Sequence, residues 1–109
     1  MRLNILMKSS FIVFAVAGVL SSCSSHQKPA LYQVKIEQMK FVPEEISVNK
    51  GDTIIWINND MVAHDITAQD KSWTSSALQP GQTWKMAVTN NADYYCSIHQ
   101  VMKGKIKLK

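Results

Sequence analysis

From Leu31 onward the dominant period of the apolar side chains is two, and that period makes the β-strand the main building element. The last segment shows it best. Gly104, Ile106 and Leu108 fall on one side, and Lys103, Lys105, Lys107 and Lys109 on the other. Successive residues of a strand point to opposite faces, so this stretch predicts one face in a core and one in water. The lysine row reads as the wet face of a sheet, and lysines on an edge also discourage strand-to-strand association. Tyr32, Val34 and Ile36 alternate in the same way, as do Trp84, Met86 and Val88. Ile54 to Ile57 is a continuous apolar run and predicts a strand covered on both faces. Turn-forming residues separate these segments: Pro43, Asn49-Lys50-Gly51-Asp52, Asn58-Asn59-Asp60, Pro80-Gly81 and Asn90-Asn91. No stretch of 12 or more residues carries a helical stripe. Short strands with frequent turns predict an all-β, antiparallel sandwich or barrel, in one domain over residues 31–109.

The N-terminus has a different grammar. Arg2 and Lys8 precede an unbroken apolar run, Phe11 to Leu20, followed at once by small residues. That order is the layout of a secretory signal, and ten residues are about half of what a helix needs to cross a bilayer. Leu20-Ser21-Ser22-Cys23 resembles the lipobox of bacterial lipoproteins, which implies a signal peptide over residues 1–22 and acylation of Cys23 as the first mature residue. Residues 23–30 then form a short polar tether, in which His26 reads as a solvated side chain. Ser24 after the cysteine, rather than aspartate, favours the outer membrane.

This changes the counting of cysteines and charges. Two cysteines in an exported chain ordinarily suggest a disulfide. With Cys23 lipidated, Cys96 becomes a lone thiol in an oxidising compartment, where a metal bond is a good reason to keep it. Without Arg2 and Lys8, ten basic side chains face eight acidic ones, a balance of +2 in place of +4. That balance gives no reason to expect a nucleic-acid partner. A mature domain this small buries little apolar surface, so a bound metal would also help to hold it.

The chemistry concentrates in Tyr95-Cys96-Ser97-Ile98-His99-Gln100-Val101-Met102. Cysteine, histidine and methionine at spacings of three let one compact loop present three ligands to one point. A thiolate, an imidazole and a thioether form a soft set that suits copper rather than magnesium or calcium. A second histidine would complete two imidazoles and a thiolate with a weak axial thioether, the pattern of electron-transfer copper. His64 is the one histidine left outside the tether. Taken singly, Cys96 and Met102 would pass as core residues and His64 as an ordinary satisfied histidine. Zinc would take the same nitrogen and sulfur donors, but a catalytic zinc site keeps a water where this sequence offers a thioether. Cysteine–histidine nucleophilic catalysis lacks a third, orienting group in the sequence.

Over essentially all of residues 31–109 the chain resembles the cupredoxins, the type 1 blue copper proteins, in particular those of the plastocyanin and amicyanin kind. Phe41-x-Pro43-x-x-Ile46-x-Val48-x-x-Gly51-Asp52-Thr53-x-x-Trp56-x-Asn58-x-Asp60 followed by His64 is similar to the family's strand–turn–strand leading to its first copper ligand. Leu78-x-Pro80-Gly81-Gln82-Thr83 resembles its next hairpin, and Tyr94-Tyr95-Cys96-Ser97-x-His99 its ligand loop. Two residues between His99 and Met102 match the shorter, amicyanin-type loop. The resemblance implies a Greek-key β-sandwich holding one copper ion at one end. His64 would arrive from an internal strand, and Cys96, His99 and Met102 from the last loop. Two departures stand out. Asp65 replaces the usual asparagine after the first histidine; it can accept bonds from Ser97 but a carboxylate cannot donate. Ile98 replaces a proline and so keeps an N–H, which is expected to bond the Cys96 sulfur beside the N–H of Asp65.

The implied function is one-electron transfer between transient redox partners, a dehydrogenase, cytochrome or reductase, by a monomer on a lipid anchor in the cell envelope or periplasm. The resemblance makes the His99 ring edge the electron path, and Met61, Val62 and Val101 an apolar rim around it. A copper delivery or storage protein is the alternative, though it would call for exposed Met/His clusters. Copper oxidases and nitrite reductases need histidines for a second copper site; three in the whole chain, one of them in the tether, leave none, so the chain reads as no enzyme.

Overall fold

A computed structural model describes residues 28–109. The signal segment, Cys23 and His26 lie outside the described residues, as does most of the tether. Eight strands follow in order: β1 (Leu31–Glu37), β2 (Lys40–Val42), β3 (Glu45–Val48), β4 (Thr53–Asn58), β5 (Thr67–Ala68), β6 (Thr83–Ala87), β7 (Ala92–Tyr95) and β8 (Lys103–Leu108). They form two four-stranded sheets, ordered β2-β1-β4-β6 and β3-β8-β7-β5. The chain alternates between the sheets from β2 to β7, β8 then pairs with β7 in the same sheet, and the result is a Greek-key sandwich.

The sheets are mixed rather than purely antiparallel. β1 runs parallel to β4, with Leu31 opposite Thr53 and Ile36 opposite Asn58, and β3 runs parallel to β8. The physical cause is the crossover. After the β1–β2 hairpin the chain leaves for the second sheet as β3, then returns to lie beside β1 in the same direction, which a local hairpin cannot do. A second correction concerns β8. Its lysines lie on the wet face as expected, but the strand sits between β3 and β7 and is not an edge. Lys107 pairs with Glu45 on β3 at 2.8 Å and Lys105 with Asp93 on β7 at 3.8 Å, so the row is partly neutralised across the sheet. A third concerns β4. Ile54, Trp56 and Asn58 are buried but Ile55 and Ile57 only half-buried, because Gln33, Lys35, Thr83 and Lys85 flank that outer face in register.

The core lies between the inner faces. Val34, Ile36, Ile54 and Trp56 come from one sheet, and Ile46, Val48, Tyr94 and Ile106 from the other. Tyr94 organises the middle. Its ring meets Phe41 edge-on at 4.8 Å and Trp56 at 5.6 Å, and its hydroxyl accepts the Trp56 Nε1–H at 3.3 Å. Burial pushes the Tyr94 hydroxyl up to about 12, although the Trp56 N–H favours the phenolate.

One end of the sandwich is closed by the turn before β4. Gly51 has φ +94°, a conformation that costs glycine little. Buried Asp52 accepts the N–H of Asn49 and that of Ala30, both at 2.9 Å. The chain therefore enters the fold here, at the start of β1 and β4. The candidate ligands gather at the opposite end, where β4 finishes at Asn58.

Candidate metal centre

His64 lies in the long connection between β4 and β5, held by backbone pairing rather than on a continuous strand. Its N–H donates to Leu78 O at 3.1 Å and its carbonyl accepts the Leu78 N–H at 2.7 Å, a bridge isolated from the main ladders. Asn58, fully buried, pins the connection. Its amide donates to Val62 O and Leu78 O, both at 2.9 Å, and its side-chain oxygen accepts the Asp60 N–H at 3.0 Å. Cys96 follows β7 directly, and Met102 directly precedes β8. The loop between them is cinched by Cys96 N–H to Met102 O at 3.1 Å and Met102 N–H to His99 O at 3.0 Å. Two adjacent strands thus fix the ends of a loop whose side chains must converge.

They do converge. His64 and Cys96 have no exposed surface and Met102 has 3%, while His99 is half-buried at the rim. The Cys96 sulfur lies 3.7 Å from His64 Nδ1, and the His99 ring stands edge-on to His64 with centroids 4.9 Å apart. A sulfur and a nitrogen bound to one first-row ion at about 2.3 and 2.0 Å, with a trigonal-to-tetrahedral angle between them, lie roughly 3.5–3.8 Å apart. The observed separation fits that geometry, and it equally suits a thiol–imidazole contact in the metal-free protein. Counted on histidine, cysteine and carboxylates alone, the described residues hold no assembled group of three. Two imidazoles, a thiolate and a thioether, the donors these four residues offer, are chemically a copper set.

The residues around the donors behave in part as the sequence suggests. Asp65 accepts the Ser97 N–H at 2.7 Å on one oxygen and the Ser97 hydroxyl on the other, and so ties the two ligand-bearing segments together. The Thr67 hydroxyl adds a bond to the same carboxylate at 2.9 Å. The Asp65 N–H points at the Cys96 sulfur, 3.4 Å away. The second bond expected there, from the Ile98 N–H, is not among the hydrogen bonds of the described residues. Ile98 instead turns outward, 47% exposed, at the crest of the loop.

Sequence reasoning missed Asp60. Its carboxylate lies 2.8 Å from His64 Nε2, and it also accepts the N–H groups of Gln38 at 2.7 Å and Met39 at 3.0 Å. Desolvation opposes its charge, but the bonds from Met39, His64 and Gln38 outweigh that and hold its carboxyl below the usual range. The available signal was an acid four residues before a candidate ligand. The two donor-bearing segments carry exposed apolar side chains: Met61 at 90%, Val101 at 87%, and Val62 and Ile98 near half.

Comparison with known proteins bears on the family and the fold. Residues 29–109 match the family described as copper binding proteins, plastocyanin/azurin family. Amicyanin-alpha of Methylorubrum extorquens is 30% identical over 81 residues, covering 68% of both chains. Amicyanin of Paracoccus versutus is 27% identical over 82 residues, 67% of this chain and 61% of that one, so the match spans about three fifths of that relative's length. Among solved structures, an amicyanin variant in its Cu(I) form superposes with a TM-score of 0.67 at 26% identity, over 72% of this chain and 82% of that one. A copper-containing nitrite reductase from Thermus scotoductus shares the fold at a TM-score of 0.68 and 23% identity, over 76% of this chain but only 23% of the enzyme.

Proposed function

Since the chain belongs to the plastocyanin/azurin family of copper-binding proteins, we propose that it is a single-electron carrier whose one copper ion is held by His64, Cys96, His99 and Met102. The observation that carries this reading is the 3.7 Å approach of the Cys96 sulfur to His64 Nδ1, both fully buried, beneath a loop that also presents His99 and Met102. Copper bound there supplies a one-electron couple between Cu(I) and Cu(II). The protein's part is to hold the donors in place. Cys96 is locked by the Asp65 N–H and by its own backbone bond to Met102, and His64 by Leu78 and Asp60. Donors fixed from both ends have little to rearrange between oxidation states, which keeps transfer fast. Asp65 serves as the brace between ligand loops in place of asparagine, through a carboxylate that accepts three bonds and donates none.

His99 alone among the four reaches the surface, so electrons enter and leave through its ring edge. Met61, Val62, Ile98 and Val101 surround it with the small apolar patch that a transient partner can cover and release. The partners are redox proteins such as a dehydrogenase, cytochrome or reductase, and the carrier itself acts as a monomer and not as an enzyme. Cys23 anchors it by lipid in the cell envelope, most simply to the outer membrane on its periplasmic side. The fold is consistent with that anchor: Ala30 enters beside Asp52, at the end away from His64.

The test is electron exchange. Copper-loaded residues 24–109, reduced and mixed with an oxidised one-electron protein acceptor, should be oxidised within milliseconds to seconds and survive repeated cycles. Val101→Asp should slow the reaction without changing the spectrum. Copper lost on each cycle, with no electron passed on, would favour delivery over transfer.

A further inference from the structure

Cations gather at the end of the sandwich where the chain enters. Four segments close that end: residues 28–31, the turn at 49–52, the β6–β7 connection and residues 107–109. Thr53 N–H donates to Ala30 O at 2.9 Å, Gly51 N–H to Val88 O at 2.8 Å and Lys109 N–H to Val48 O at 2.9 Å. Leu108 N–H reaches Asn91 Oδ1 at 2.7 Å, so the four segments form one rim. They carry Lys28, Lys50, Lys107 and Lys109, all exposed. The one acid in them, Asp52, is buried and already accepts two N–H groups. Lys107 pairs with Glu45, but among the described residues no carboxylate pairs with Lys28, Lys50 or Lys109. Even with a carboxylate ending the chain at Lys109, four positive charges of this rim face two negative ones. The donor end has the reverse balance, with Glu37, Asp60 and Asp65 against Lys40 and Lys103. The basic rim also shows an apolar side chain. Leu31, opposite Thr53 in register, is 62% exposed. Beside it the Tyr32 ring is half-buried, with the Lys109 ammonium 6.0 Å from its centroid.

We infer that this rim is a membrane-contact surface. Lys28, Lys50 and Lys109 meet anionic phospholipid headgroups, Leu31 reaches the boundary between headgroups and acyl chains, and the domain stands on the lipid with its donor end outward. This rests on Cys23 carrying the lipid, and it goes further by naming the part of the fold that faces the bilayer. Reach is the first argument for that occupant. Cys23 to Ala30 is seven residues, at most roughly 25 Å of fully extended chain. An anchored chain therefore keeps the rim within about three screening lengths of the surface, each about 8 Å at physiological salt. Charge is the second. Residues 24–31 contain no acid, so nothing in the approach offsets the lysines. A few lysines hold a protein to an anionic bilayer only weakly. With the anchor already supplying a high local concentration, they need only fix the orientation. The side chains among them are the third. A leucine and a tyrosine beside basic groups suit the boundary layer, where one part of a surface is apolar and the other wet.

Binding without the anchor tests the surface by itself. The mature chain carrying Cys23→Ser is sedimented with vesicles of phosphatidylcholine, either pure or with a third of phosphatidylglycerol. At low salt it should bind the anionic vesicles about tenfold or more above the neutral ones, and that preference should fade as salt rises. Each lysine near such a surface contributes about fivefold, so Lys28→Gln, Lys50→Gln and Lys109→Gln together should cut binding about tenfold to a hundredfold. Lys35→Gln, Lys40→Gln and Lys85→Gln remove the same charge from β1, β2 and β6, and together should cut it less than about threefold. Leu31→Ser should weaken the binding that survives high salt. Orientation is read on the lipidated chain in anionic nanodiscs by NMR. A gadolinium-labelled headgroup should broaden the amide signals of residues 30–32, 49–52 and 107–109 and spare 61–64 and 97–101. No preference for anionic vesicles, equal losses in the two triple variants, or broadening at 61–64 and 97–101 instead overturns the inference. A mature chain that mass spectrometry shows without acyl groups sinks the anchor reading instead, whatever the vesicles show.

Discussion

Gly104 on β8 lies directly across from Tyr94 on β7, and there is no room at that position for a side chain. A Cβ placed there would fall inside the contact shell of the Tyr94 Cζ, hydroxyl and Cε2 atoms, the last at 2.6 Å where ordinary contacts begin near 3.4 Å. In Gly104→Ala the ring must therefore retreat by more than an ångström, since Cζ lies closer still than Cε2. It has nowhere easy to go, since Tyr94 has no exposed surface and packs against Phe41 at 4.8 Å and Trp56 at 5.6 Å. Overpacking a tight core costs about 1–3 kcal/mol, and here the upper end applies because three ring atoms clash at once. Breaking the Trp56 Nε1–H bond to the hydroxyl adds about 1 kcal/mol. A loss of about 4 kcal/mol would consume much of the roughly 5–15 kcal/mol that holds an ordinary domain together. Urea denaturation of Gly104→Ala, Tyr94→Leu and the double variant tests the cause. Tyr94→Leu alone should cost about 3 kcal/mol for the buried ring it removes. In that background Gly104→Ala should cost about 1 kcal/mol or less, a coupling of about 3 kcal/mol between the two sites. A cost below about 1 kcal/mol for Gly104→Ala alone, or an equal cost in both backgrounds, would refute the reasoning.

Three further outcomes follow from the same contacts. Asn58→Ala deletes two donated bonds and one accepted bond in a buried site, so it should destabilise by about 3 kcal/mol in urea melts and broaden the His64 ring resonances. An unfolded tyrosine ionises near pH 10 while Tyr94 holds its proton to about 12, so its contribution is complete below pH 10 and is lost as pH rises towards 12, about 3 kcal/mol in all. Alkaline melts should show that slope, and Tyr94→Phe should flatten it. Asp65→Ala removes the acceptor for Ser97 and Thr67, and should speed copper release to a chelator about tenfold with little change in the fold.

What could be read from the sequence divides along the range of the interactions. The alternation in 103–109 carries over to β8 residue by residue because side-chain direction along a strand is a local property. The turn at Asn49–Asp52 carries over for the same reason. The backbone of the short loop from Cys96 to Met102 likewise closes on itself, Cys96 N–H to Met102 O and Met102 N–H to His99 O. Pairing is not local: nothing in residues 31–37 says that their neighbour is 53–58 running parallel, or that β8 lies inside its sheet. The β1–β2 hairpin was hidden because Gln38 and Met39 lack the residues that usually mark such a turn; Asp60, 21 residues later, supplies what they need. Ile98 is the opposite case: its sequence position offers an N–H, but no bond from it to the sulfur is among those of the described residues.

The claim beneath all of this is that Cys96, as thiolate, and His64 share one copper ion. The visible spectrum of residues 24–109 loaded with Cu(II), beside Cys96→Ser, addresses it most directly. The account predicts an intense blue band that reductant bleaches and oxidant restores, and that is missing in Cys96→Ser. A well-folded protein that takes up Cu(II) and stays colourless, or whose band survives the loss of Cys96, would contradict it.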